Sequence, residues 1–201
     1  MNKYNSYKDS GIEWIGKIPS HWETGTVGRV SKLSRGRVIS STEIAKTEDK
    51  YPVYSSQTER NGVMGYIDTY DFNGKFVTWT TDGANAGRVS YREGKFNCTN
   101  VCGTIQPKNW NFVELRYLPY FLNLGTKYSV RLDINPKLMN NMMSKIPVLI
   151  PPKQEQTTIA DYLDRKTAAI DDLIKDKKSL LQLYEEEKQA VIDELVTGKK
   201  V

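Results

Sequence analysis

The chain has 201 residues, with 29 Lys and Arg against 24 Asp and Glu, a net charge of +5 and a mean hydropathy of −0.57. Its N-terminal residues Met1 to Ser10 are polar, and Val148-Leu149-Ile150 is far too short to cross a bilayer, so no targeting or membrane segment is expected and the cytoplasm is the expected compartment. The charge is unevenly split: residues 1–150 carry 20 Lys and Arg against 13 Asp and Glu, net +7, whereas residues 151–201 carry 9 against 11, net −2.

In chain order, Lys8 to Trp22 is a turn-rich opening segment with Gly11, Gly16 and Pro19. Val27 to Ile39 suits a helix or a strand, followed by a turn at Gly36. A glycine-punctuated series follows: Tyr51–Ser55, Gly62–Ile67, Lys75–Thr80, Gly87–Tyr91 and Val101–Gln106. These runs are rich in Val, Ile, Thr, Tyr and Phe, and Asn61-Gly62, Asn73-Gly74, Asp82-Gly83 and Glu93-Gly94 mark turns between them. That spacing predicts a meandering or barrel-like sheet. Phe112 to Leu124 predicts a helix, with Pro119 a kink or boundary, and Asn135-Pro136 has the cap-and-first-position pattern of a short helix start. Ile146 to Ile150 predicts a last strand.

After Pro151-Pro152, Lys153 to Val196 contains neither proline nor glycine, and its apolar residues recur at helical spacing. At ~1.5 Å per residue such a helix spans roughly 65 Å, longer than a compact domain of this size can bury. Leu163, Ile170, Tyr184 and Val191 keep one seven-residue register, interrupted by Lys177. Leu173 and Leu180 fill the second seam, and Ile174, Leu181 and Leu195 broaden the stripe. Such a stripe needs a partner helix. The expected class is therefore α+β: a strand-rich mixed domain over residues 1–150, then one long coiled-coil-forming helix over 151–201.

Of 21 aromatic residues, 19 lie in residues 1–150 with the excess positive charge. A basic, aromatic-rich domain on an acidic helical stalk suggests a nucleic-acid reader; an ordinary basic bias is the alternative. No catalytic centre emerges. Gly11 to Lys17 satisfies G-x4-G-K, but Ile18 replaces the magnesium-holding Ser or Thr and no strand precedes it. Glu-x-Lys triplets at Glu48–Lys50, Glu93–Lys95 and Glu186–Lys188 are expected by chance in a chain 26% charged. Asn135-Pro136 lacks the proline and aromatic residue that complete an amino-methyltransferase loop. His21 is the only histidine, and Cys98 and Cys102 suit buried free thiols better than a metal site.

Base reading needs polar and cationic side chains on loops that reach a groove. The candidates are Arg35 with Arg37, then Ser55, Ser56 and Gln57 with Arg60, and finally Thr80, Thr81, Asp82 and Asn85 with Arg88. Each cluster has a structural alternative, because Thr, Asn and Asp also stabilise turns and Asp82-Gly83 is a hairpin signal. Trp14, Trp22, Trp79 and Trp110 are expected in the core rather than as stacking platforms.

Tyr7 to Pro19 with His21-Trp22 resembles the opening segment of type I restriction-modification specificity subunits. Ile146-Pro147 through Pro151-Pro152, then Gln154-Glu155-Gln156, Ile159-Ala160, Leu163 and Asp164, resembles their junction between target-recognition domain and conserved helix, and Leu195 to Lys199 their helix end. The resemblance implies a non-catalytic subunit whose recognition domain reads a half-site in double-stranded DNA and whose helices dock methyltransferase subunits. It implies no cofactor here: S-adenosylmethionine for adenine methylation belongs to the methyltransferase subunit, and ATP and Mg2+ for cleavage to the motor–nuclease complex. Such proteins usually carry two recognition domains and two helices, whereas this chain has one of each, as a natural half-subunit or a fragment. Two copies pairing their helices antiparallel would place two identical readers about a two-fold axis and favour an interrupted inverted repeat. The alternatives are a stand-alone DNA-binding regulator, a competitor subunit, or a truncated product that does not assemble.

Overall fold

The computed structural model describes residues 4–44, 50–131 and 135–199. The opening segment is a hairpin of β1 (Tyr7–Asp9) and β2 (Lys17–Pro19), with Lys8 opposite Ile18. Gly11 to Lys17 thus lies largely in a hairpin turn, where Ser10 N–H donates to the Gly16 carbonyl at 2.9 Å, and not in a strand-to-helix phosphate loop. After β3 (Glu23–Thr26), Thr26 caps a single turn, α1 (Val27–Val30), by accepting from Arg29 N–H at 3.3 Å, and β4 (Ser31–Arg35) follows at once. Both readings of that stretch are therefore realised in succession.

Next come α2 (Ser41–Ile44), β5 (Tyr51–Tyr54), β6 (Val63–Ile67), β7 (Phe72–Thr80), β8 (Val89–Cys98) and β9 (Cys102–Pro107). Then follow α3 (Tyr117–Gly125), α4 (Asn140–Met143), β10 (Pro147–Ile150) and α5 (Lys153–Val196). The main sheet has six strands in the order β4-β9-β7-β8-β5-β6, and β10 pairs separately with β3. All its pairs are antiparallel except β5 with β8, which run parallel through Val53 opposite Asn97 and Tyr54 opposite Cys98.

Two predicted turns do not exist. Asn73-Gly74 and Glu93-Gly94 lie inside β7 and β8, where Gly74 faces Gly94 and Lys75 faces Glu93. Their φ of +117° and +95° bend the ladder without ending it, the usual meaning of glycine within a strand.

The main core lies between the sheet and the later elements. Val77, Trp79, Val89 and Ile105 pack against Leu118, Leu122, Leu138, Met143, Ile146 and Val148. Trp79 is buried at no polar cost because its indole N–H donates to the Leu138 carbonyl at 2.8 Å. Trp110, expected in the core, is instead 49% exposed on the turn after β9. That turn also delays α3 to Tyr117, so Pro119 falls in its first turn, where no helical N–H bond is lost and no kink results. Asn135-Pro136 does not begin a helix; Asn135 donates to Asp82 Oδ1 at 2.8 Å, and the next helix starts at Asn140.

The start of α5 is held by side chains. Gln156, 2% exposed, accepts from Glu114 N–H at 2.8 Å and donates to the carbonyls of Phe112 at 3.0 Å and Pro151 at 2.8 Å. Glu155 accepts from His21 at 2.6 Å, Trp22 Nε1 at 2.9 Å and the Tyr4 hydroxyl at 3.1 Å. The chain divides into two compact units, Met1–Ala160 and Asp161–Val201, so these first turns of α5 belong to the unit that contains the sheet.

Candidate nucleic-acid interface

Three candidate clusters, separated by about 20 residues each in sequence, are linked by hydrogen bonds at the ends of β4, β5 and β7. β7 and β8 are joined by the Thr81–Arg88 segment, where Gly87 N–H donates to the Thr80 carbonyl at 2.8 Å and Ala86 N–H to the Gly83 carbonyl at 2.9 Å. Asn85 Nδ2 donates to the Ser56 carbonyl at 2.8 Å, tying this loop to the one between β5 and β6. From the other side, Arg35 donates through Nη2 to Thr81 Oγ1 at 3.1 Å and through Nε to the Asn100 carbonyl at 2.6 Å.

The loop between β5 and β6 is internally braced. Ser55 N–H donates to the Gly62 carbonyl at 3.0 Å, Thr99 Oγ1 to Ser55 Oγ at 3.3 Å, and the Gln57 side-chain amide to the Val63 carbonyl. Ser55, Gln57, Thr80 and Arg88 together line a cavity of about 20 Å³. Arg35, Gln57, Arg60 and Arg88 are exposed, Ser55, Ser56, Asp82 and Asn85 half-buried, and Thr80 and Thr81 buried. The threonine pair is therefore packed inside, and the four longer side chains face solvent.

Arg37 points to different partners. It pairs with Glu43 at 2.6 Å and Asp71 at 3.0 Å, and the Glu43 bond, against the opposing effect of burial, raises its pKa. It is thus committed to internal carboxylates, whereas Arg35 bonds, among the described residues, to the neutral oxygens of Asn100 and Thr81. Residues that sequence reasoning missed join the cluster as well. Asn100 lies beneath Arg35, and Asn135 to Lys137 runs beside the loop, with Gly83 N–H donating to the Pro136 carbonyl at 3.0 Å and Lys137 bridging to Asp82. The only sequence signal for them is the turn chemistry of Asn-Pro, which suits a helix start equally well.

Glu48 of the first Glu-x-Lys triplet lies outside the described residues, and Glu93 of the second is paired with Lys75 at 3.7 Å on β8. Cys98 and Cys102 are free and buried; a hydrogen bond between them, together with burial, raises the Cys98 thiol, and the same bond lowers Cys102. Among the described residues no three His, Cys, Asp or Glu gather in a way that could hold a metal ion.

In the second unit, Ile170, Leu173, Ile174, Leu180, Leu181, Tyr184 and Val191 are all exposed on α5, and Leu163 is half-buried. Leu183, Ile192 and Leu195 add to that apolar surface. No described helix is long and apolar enough to cross a membrane.

Comparison with known proteins agrees over most of the chain. The profile of the type I restriction modification DNA specificity domain matches residues 19–183. A putative type I specificity subunit of Mycoplasma pneumoniae is 38% identical over 143 residues, 71% of this chain and 47% of that protein. The MpnII type I restriction enzyme specificity subunit of the same organism is 34% identical over 167 residues, 83% of this chain and 50% of its own length. Among solved structures, the S subunit from M. genitalium superimposes with a TM-score of 0.65 at 16% identity, covering 77% of this chain and 41% of that one. A chain from a structural study of type I complex assembly and conformational transition gives 0.70 at 15% identity, covering 94% and 48%. This chain thus spans half or less of each of these proteins. The matched span and the identities to these subunits make the chain a member of the type I restriction modification DNA specificity family, and its mixed sheet and long helix share the fold of the solved S subunits.

Proposed function

We propose that residues 1–150 form a target-recognition domain that reads a half-site in double-stranded DNA through the joined loops at Arg35, Ser55–Arg60 and Thr80–Arg88. The observation that carries this reading is the convergence of three polar, sequence-distant clusters within residues 1–150, which hold all the excess positive charge. Exposed Arg35, Gln57, Arg60 and Arg88 offer donors of the kind that contact base edges and phosphates. Residues 151–201 act as the conserved helix that joins a second copy and docks the methyltransferase subunit. The exposed apolar stripe on α5 supports that role, since a surface of this extent calls for a helical partner.

Two copies paired antiparallel would read an interrupted inverted repeat, with the spacer set by the helical pair. The partner methyltransferase would use S-adenosylmethionine to methylate adenine in that site. A motor–nuclease subunit, with ATP and Mg2+, would cleave unmodified DNA. None of these groups is assigned to residues of this chain.

Co-expression with the adjoining methyltransferase, followed by mapping of methylated adenines, tests the reading directly. A palindromic, interrupted motif is expected. Methylation whose pattern is indifferent to this chain would overturn it, and binding to DNA without any directed methylation would favour a stand-alone regulator.

A further inference from the structure

Arg92 lies in the middle of β8 with only 7% of its surface exposed. A buried guanidinium is costly unless a charge or dipoles compensate it. Among the described residues, the side chains that act most on it are Tyr54, Cys98 and Cys102, none of them a carboxylate. Its compensation comes from elsewhere. The guanidinium carbon sits 3.8 Å from the centre of the Tyr54 ring, and Nη2 donates to the Asn61 carbonyl at 2.9 Å. Nε is buried with no protein acceptor among the described residues.

The accepting carbonyl belongs to a strained turn. Arg60, Asn61 and Gly62 have φ of +48°, +56° and +83°, three left-handed residues in succession of which only one is glycine. Such backbone persists only where its surroundings over-determine it, and it gathers at functional sites. A Cβ at Gly62 would come within 3.1 Å of Arg92 Nη2, so the turn and the guanidinium are in close contact. The same guanidinium borders the small cavity shared by Ser55, Gln57, Thr80 and Arg88.

We infer that Arg92 is a positioning residue for base reading: stacked on Tyr54, its planar fork grips the Asn61 carbonyl and fixes the left-handed turn that presents Gln57 and Arg60 beside the Thr80–Arg88 loop. This rests on the reading of those loops as DNA-facing. Arg92 reaches no DNA itself and acts through the turn. Lysine would keep the charge but lose both the stack and the planar donor geometry.

The test uses the full chain in complex with its methyltransferase. Arg92→Lys is compared with wild type in two measurements: amide hydrogen exchange across residues 55–63 without DNA, and binding to the mapped target and its single-base variants at several salt concentrations. Exchange in the turn should rise about tenfold, and discrimination between target and variants should fall about tenfold. The salt dependence should not change, because no phosphate contact is removed. Gly62→Ala, which crowds Nη2 and strains a left-handed residue, should loosen the same turn, and the double variant should show little more than either alone.

Unchanged exchange in the turn would overturn the positioning role. Faster exchange with discrimination intact would instead overturn the assignment of this turn to base reading. If Arg92→Lys does not fold, Tyr54→Leu, which removes the ring under the guanidinium, decides the matter by the same two measurements.

Discussion

Glu155 accepts three hydrogen bonds, from Trp22, His21 and Tyr4, and its ionisation state is therefore part of the fold. Burial alone would raise its pKa, but the bonds from Trp22, His21 and Tyr4 outweigh burial and leave it below the ordinary 4.5. A carboxyl with a depressed folded-state pKa contributes stability that is full above its unfolded value and is lost as pH falls through the folded one. Glu155→Gln should lower the melting temperature by roughly 2–5 °C at neutral pH and flatten the loss of stability below about pH 4.5. Thermal melts of both proteins between pH 3 and 7 check this, and identical pH profiles would sink it. On the loop between β7 and β8, Asn85 and Arg88 divide their labour. The Asn85 amide is spent on the Ser56 carbonyl, whereas the Arg88 side chain is exposed. Arg88→Ala should therefore cost ~1–3 kcal/mol of discrimination at one base position if it reads a base. An equal loss on all sequences, with a shallower salt dependence, would make it a phosphate clamp. Asn85→Ala should uncouple the two loops and blur the preference more broadly; unaltered methylation and binding in both variants would make the loop structural.

At the scale of elements, the apolar stripe of α5 makes the sharpest prediction. Burying side chains such as Leu173 and Leu180 contributes ~1.5–3 kcal/mol each before ordering costs. Light scattering should find the chain dimeric at micromolar concentration, and Leu173→Asp with Leu180→Asp should shift it to monomer. A wild-type chain that stays monomeric even with the methyltransferase would assign the stripe to another protein's helix. This helix was legible in sequence because 44 residues without proline or glycine leave few alternatives. β5 to β9 were legible too, through their Val, Ile, Thr and Tyr runs. Their pairing was not: the parallel contact of β5 with β8 joins segments more than 40 residues apart, and no local pattern encodes it. Gly74 and Gly94 misled because a bend and a turn use the same residue. The candidate site was legible only in pieces. Each polar cluster stands out on its own turn, but nothing in Ser90-Tyr91-Arg92-Glu93 marks Arg92 as the cation that is buried.

For the whole molecule, specificity without catalysis is the defining expectation. Incubated alone with labelled S-adenosylmethionine and DNA, the chain should transfer no label, and sequence-specific transfer should begin only when the methyltransferase is added. Reproducible transfer that co-purifies with this chain would contradict the division of labour. If these loops read DNA as proposed, the ties that join them carry a consequence for how such a molecule diversifies. Arg92, Asn85 and Arg35 each grip a main-chain carbonyl, at Asn61, Ser56 and Asn100. Every residue type brings that acceptor, so the side chains at positions 56 and 100 can be exchanged without releasing the grip, and that at 61 wherever the left-handed backbone is tolerated. Mutational drift is then steered toward the residues that face outward, while the scaffold that aims them stays constant. New target preferences become reachable by single substitutions, with no obligatory step through an unfolded intermediate sequence.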